Sequence, residues 1–209
     1  MNTVKVFLLM SGIFLLAACG GGSSTSSVLP TDKVDYQMLS NDSELEKVYN
    51  AILEKLGDNI KYVDEVNIYI TRPSVEGIII KQGSPDEFSI KLSYLYPKDK
   101  NKLYQQLYTS KYKWNNGEVK GIQLLIGNAE TFNLQDEMFD MSPLTAETLS
   151  KIVNDAMGKY KDAGKYSYQY IQRIGIKDGI VKVTVYGKLS ANDIGKSNYY
   201  STDLKGVAK

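Results

Sequence analysis

Histidine is absent from this chain, and cysteine occurs once, at Cys19. Together these facts remove Ser-His-Asp and Cys-His nucleophile systems, the common zinc sites, histidine general bases and thiol redox cycling. Any catalysis would fall to carboxylates, lysine or tyrosine. The best carboxylate cluster is Asp136-Glu137 with Asp140, in the run Asn133-Leu134-Gln135-Asp136-Glu137-Met138-Phe139-Asp140. A calcium loop of EF-hand type wants oxygens at alternate positions, a central glycine and a terminal glutamate, and this spacing has none of them. The segment reads as a solvated loop, pinned to the core by Phe132 and Phe139. Glycosidase-type carboxylate pairs are defined by separation in space, so a carboxylate-dependent glycan-acting enzyme stands as the last of three readings. No phosphate loop, dinucleotide fingerprint or Gly-x-Ser-x-Gly elbow occurs. No metal and no cofactor is expected.

Aromatic chemistry is the other resource. Sixteen Tyr stand against five Phe and one Trp, and tyrosine suits half-buried strands and wet binding surfaces alike, because its ring is apolar and its tip polar. Tyr108, Tyr112 and Trp114, with Tyr199 and Tyr200, are the candidate recognition surface for sugar or protein. The competing role at a spacing of two is ordinary sheet packing.

Cys19 closes a recognisable signal. One positive charge, Lys5, precedes a run from Val6 to Ala18 without a charged residue, which is the n-region and h-region of an export signal. A membrane-spanning helix needs about 20 apolar residues, and this run is shorter. It ends Leu16-Ala17-Ala18-Cys19, which resembles the lipobox of bacterial lipoproteins. That resemblance implies cleavage before Cys19, diacylglycerol on its thiol and a further acyl chain on its freed amino group. Two or more chains give stable membrane anchoring where one does not. A lone cysteine cannot form an internal disulfide, so lipidation also accounts for its presence in an oxidising compartment. In the sorting of Gram-negative lipoproteins, Gly20 is not the aspartate that retains a protein at the inner membrane. The expected address is the cell envelope, lipid-anchored at the outer membrane.

Residues 1–18 are thus expected to be a signal peptide, and 19–33 a lipidated cysteine with a flexible linker containing Gly20-Gly21-Gly22-Ser23-Ser24. Residues 34–209 form the globular region. Lys and Arg total 25 against 24 Asp and Glu; without Lys5 the two are equal. A neutral chain with no basic block argues against nucleic acid and against electrostatic membrane recruitment, since both rest on clustered Lys and Arg.

The elements that must position these residues can be read from periodicity. Leu45, Val48, Tyr49, Ile52, Leu53 and Leu56 follow helical spacing over 43–56, with Ser43 and Glu46 as a capping box and Gly57 at the stop. Strands are expected at Val66-Ile68-Ile70, at 77–81, at Phe88-Ile90-Leu92-Tyr94-Tyr96, along Tyr108-Ser110-Tyr112-Trp114, and at 119–126 after the turn Asn115-Asn116-Gly117. A second helix follows Thr145 as N-cap, with Leu149, Ile152, Val153, Ala156, Met157 and Tyr160 as its stripe. Then come Tyr166-Tyr168-Tyr170, Ile174-Gly175-Ile176, the turn Lys177-Asp178-Gly179, a strand over 180–186 and a last strand over 198–204.

The two helices superpose at a constant offset: Leu45 on Leu149, Val48 on Ile152, Ile52 on Ala156. Lys61-Tyr62 then falls on Lys165-Tyr166. The expected fold is therefore α+β, two helices packed on antiparallel sheet, as a tandem duplication of a helix-plus-β-meander unit with repeats at 43–140 and 144–209. In architecture this resembles periplasmic proteins of the β-lactamase-inhibitor-protein type. The leading functional expectation is a non-catalytic binding or scaffolding domain on a lipid anchor, partnered by an envelope protein or glycan. The alternative is an inhibitor or immunity-type lipoprotein that blocks a hydrolase or toxin.

Overall fold

A computed structural model describes residues 34–71, 86–122 and 131–209. The expected signal peptide, Cys19, its linker and the strand at 77–81 lie outside the described residues, as do 123–126 of the strand expected at 119–126.

Helix α1 spans Asp42–Leu56 and helix α2 spans Ala146–Tyr160. Each buries the stripe that its spacing specifies: Leu45, Val48, Tyr49 and Ile52 in α1, and Leu149, Ile152, Val153 and Ala156 in α2. A fully buried large aliphatic side chain contributes about 1.5–3 kcal/mol, so these stripes outweigh propensity in deciding where the helices lie. Helix α2 is capped by Thr145, whose hydroxyl accepts from the Thr148 N–H. Helix α1 is capped by Asn41 rather than Ser43: the Asn41 side chain accepts from the N–H groups of Ser43 and Glu44. The shift is two residues, because asparagine serves as a cap as well as serine does. Gly57 stops α1 with φ +50°, its N–H returning to the Leu53 carbonyl, a left-handed position that glycine takes at no steric cost.

The strands are β1 (Val63–Thr71), β2 (Glu87–Leu95), β3 (Lys102–Thr109), β4 (Lys113–Trp114), β5 (Glu118–Gly121), β6 (Tyr166–Lys177), β7 (Ile180–Leu189) and β8 (Gly195–Asp203). Among the described residues they form one sheet in the order β4-β3-β2-β1-β6-β7-β8, with β5 also on β3. All these pairings are antiparallel. The expected strand along Tyr108 to Trp114 is instead the end of β3, a turn at 110–112, and the short β4 folded back on it. Its alternation of aromatics crosses a chain reversal. The segment after Asn115-Asn116-Gly117 does not pair with β4 either; β5 returns to β3, Tyr104 opposite Val119. Tyr166 to Lys177, which reads as two short strands, is one strand with an irregular register between Ile171 and Arg173. The turn at Asp178-Gly179 forms as expected, with φ +52° and +70°, the left-handed pair that a two-residue hairpin turn demands.

Both helices pack on the same sheet, and one continuous core joins them. Val66, Ile68 and Ile70 of β1, Ile90 and Leu92 of β2, Ile174 and Ile176 of β6, and Val181, Val183 and Val185 of β7 are all buried in it. The fold is α+β, two helices on an antiparallel sheet. Reading outward from the centre, β1-β2-β3 and β6-β7-β8 are matching lists, each preceded by its helix.

Candidate functional site

Where β1 and β6 meet at the centre of the sheet, alternation sends Val66, Ile68, Ile174 and Ile176 into the core and the intervening residues to the other face. Cross-strand register then fixes who stands beside whom. One row across that face reads Lys91, Asn67, Gly175, Lys182, and the next reads Tyr69, Arg173, Thr184, Tyr199. Four strands from both halves of the chain contribute to the first row alone.

Gly175 leaves a gap in this layer of side chains. A Cβ placed on it would lie 3.3 Å from Asn67 Oδ1 and 3.8 Å from Arg173 Nε, so the space it vacates is the space in which those two groups meet. Asn67 is buried, 4% exposed. Its Oδ1 accepts from Arg173 Nε at 2.7 Å and from Arg173 Nη2. Glu65 completes the cluster: Lys91 Nζ donates to its Oε2 at 3.3 Å, and Arg173 Nη2 lies 3.9 Å from its Oε1. Burial raises the Glu65 pKa, but the hydrogen bond with Asn67 and the charges of Lys91 and Lys177 outweigh it, holding the carboxyl below its ordinary value. Glu65 is therefore a carboxylate at neutral pH, and no general acid.

These residues line a groove of about 460 Å³, bounded by Glu65, Asn67, Arg173, Lys182 and Tyr199, and an adjoining hollow of about 280 Å³ that adds Tyr69 and Lys91. Four cations, Lys91, Arg173, Lys177 and Lys182, stand on these walls with the one carboxylate of Glu65. The arrangement can hold an anion. A chain whose net charge is only +1 thus carries a local positive cluster, assembled from β2, β6 and β7.

The candidate aromatic surface is not one surface. Tyr108 is 3% exposed and packs edge-on against Phe88 and Trp114. Trp114 is half-buried on the core with Lys55 Nζ 5.5 Å from its ring. Tyr112 is 71% exposed, at the turn before β4, with Lys111 over its ring. Tyr199 and Tyr200 are neighbours on β8 and therefore point to opposite faces. Tyr200 faces the helix layer, where Lys159 of α2 lies over its ring. Tyr199 is 57% exposed and lines the groove, with Lys182 Nζ 4.8 Å from its ring centre. Of the five, Tyr199 alone stands at the cationic groove.

The carboxylates Asp136 and Glu137 sit exposed on a 3-10 turn, Leu134–Glu137. Asp140 Oδ1 accepts from the Ser142 N–H at 2.8 Å, and the Ser142 hydroxyl first, with this N–H second, holds its pKa below the ordinary value. Phe139 bonds through its backbone to Val63 in both directions, and Phe132 is half-buried. Among the described residues no three His, Cys, Asp or Glu side chains converge as a metal site, and no helix is long and apolar enough to cross a membrane.

Sequence reading missed Glu65, Asn67, Arg173, Gly175 and Lys182. The one signal, for Asn67, Gly175 and Lys182, is that each lies between buried aliphatics at a spacing of two; Glu65 and Arg173 adjoin Asp64 and Gln172 at irregularities of register and carry no such signal. Comparison with protein-family models, characterised proteins and solved structures finds no match to this chain.

Proposed function

We propose that this chain is a lipid-anchored protein of the cell envelope, at the outer membrane, whose α+β domain binds a second envelope component without catalysing its conversion. The anchor rests on Leu16-Ala17-Ala18-Cys19 closing an uncharged run, with Cys19 the sole cysteine. Binding rests on the cationic groove around Arg173, whose walls are an exposed face of ordered strands. Ordered strands hold such side chains at low entropic cost, which suits recognition.

Labelling of growing cells with radioactive palmitate tests the anchor: label on the wild type and none on Cys19→Ser is the expected result. Label on neither protein would sink this part of the reading. Crosslinking in intact cells tests the binding; recovery of no partner with several crosslinkers counts against it.

A second reading, an inhibitor or immunity-type lipoprotein, draws on the turn between β3 and β4. There the exposed Tyr112 is flanked by Lys111 and Lys113, both exposed, a small basic and aromatic projection of the kind that enters another protein's cleft. Growth protection on expression, abolished by Tyr112→Ala, is its test.

A further inference from the structure

We propose that the groove between β1, β6 and β7 binds a carboxylate-bearing sugar, with Arg173 and Lys182 receiving the acid and Tyr199 lying against the ring. This deepens the reading of that face as the binding surface and is independent of the anchor.

Arg173 is positioned for the task by Asn67. A guanidinium carries five N–H donors; two go to Asn67 Oδ1, which holds the plane of the group while the others remain for a ligand. Pre-orientation of this kind lowers the entropic cost of a bidentate contact with a carboxylate. Lys91 is committed to Glu65. Lys182 has no carboxylate within ion-pair distance among the described residues, and lies over the Tyr199 ring. A cation and an exposed ring on one wall match a ligand whose negative charge sits beside an apolar ring face.

Charge selects the acid. Glu65 Oε1 lies 3.9 Å from Arg173 Nη2, so the groove already holds one negative charge close to the guanidinium. Repulsion from it grows with ligand charge, which disfavours a phosphate dianion and tolerates a carboxylate. Topology selects against an extended peptide. The backbone groups of β1, β6 and β7 are engaged with neighbours on both sides, so at the groove no main chain is free to pair with a peptide. Recognition there falls to side chains in a space of about 460 Å³, which is the size of a small-ligand site.

The test uses the full chain purified in detergent, with titration calorimetry against four probes: a glucuronate disaccharide, its neutral glucose counterpart, a short glutamate-rich peptide and inorganic phosphate. Wild type should bind the uronate about tenfold or more tighter than each of the others, more weakly as salt rises. Lys182→Gln and Tyr199→Ala should each weaken uronate binding about fivefold or more. Both side chains are exposed, and unchanged circular dichroism verifies that both variants fold. Equal binding of the neutral sugar, peptide or phosphate, indifference to both substitutions, or no binding of the uronate overturns the proposal. If crosslinking in cells to a protein partner is lost in Lys182→Gln while the uronate fails to bind, the acid belongs to a protein side chain: the sugar is refuted and the binding face stands.

Discussion

Asn67 is the residue on which the central cluster turns, because it is buried, polar and bonded to a charge. Replacing it with alanine removes the acceptor for two Arg173 donors and a partner of Glu65. Arg173 is half-exposed and can turn to water, so the loss is that of a net hydrogen bond, about 0.5–1.5 kcal/mol, and Asn67→Ala should lower the unfolding free energy by that amount, seen as a lower urea midpoint with an unchanged m-value. Glu65 supplies a pH signature. Its folded pKa is depressed, so its contribution is complete above its unfolded value, near the ordinary 4.5, and is lost as pH falls through the lower folded value. Denaturation of wild type and Glu65→Gln from pH 7 to 3 should show the wild-type advantage shrinking only below about pH 4.5; an advantage constant with pH refutes this account. Gly187 is a different kind of residue: it is buried opposite Gln169, and a Cβ there would lie 2.6 Å from Tyr166 Cδ1. Overpacking of this sort costs about 1–3 kcal/mol, and thermal unfolding of Gly187→Ala should show it.

At the scale of elements, the two helices have identical lengths of 15 residues, and both ends are displaced by the same offset. Their strands face each other across β1 and β6, as a duplication of a helix-then-meander unit would arrange them. The link between the helices includes Tyr49 of α1, whose buried hydroxyl donates to the Leu144 carbonyl at 2.6 Å, just ahead of α2. Burial pushes its pKa up to about 12. A raised folded pKa means a contribution that is whole below pH 10 and lost as pH rises through 12. Tyr49→Phe should cost about 1–3 kcal/mol at pH 7, and the gap should close in alkali. Helix positions and faces were legible because burial repeats every three or four residues along a continuous segment. The cap of α1 was less so, since Asn41 and Ser43 both satisfy the same chemical requirement. The β3–β4 region misled because Tyr108, Tyr112 and Trp114 keep a spacing of two straight through a turn, and period alone carries no sign of a chain reversal.

For the whole molecule, one core spans both helices and both sets of strands, and β1 with β6 closes the centre of the sheet. Such a molecule should unfold in a single step. Trp114 stands in one half only, so its fluorescence reports that half while far-ultraviolet circular dichroism reports both. The two denaturation curves should coincide; separated midpoints would show that the halves fold independently.

Amino-acid order alone was enough for whatever depends on neighbours a few positions apart: the helical stripes, the Asp178-Gly179 turn, and the α+β class that follows from amphipathic helices with alternating strands. Composition also determined which chemistries the chain lacks, because histidine and a second cysteine cannot be supplied by folding. The groove was decided by tertiary structure. Asn67 and Gly175 are far apart in the chain and meet only when β1 pairs with β6 in one register, and a slip of one residue would send Asn67 into the core. Tyr199 and Tyr200 make the same point: adjacent in sequence and chemically alike, they are divided by the pleat of β8, one to the cationic groove and one to the helix layer.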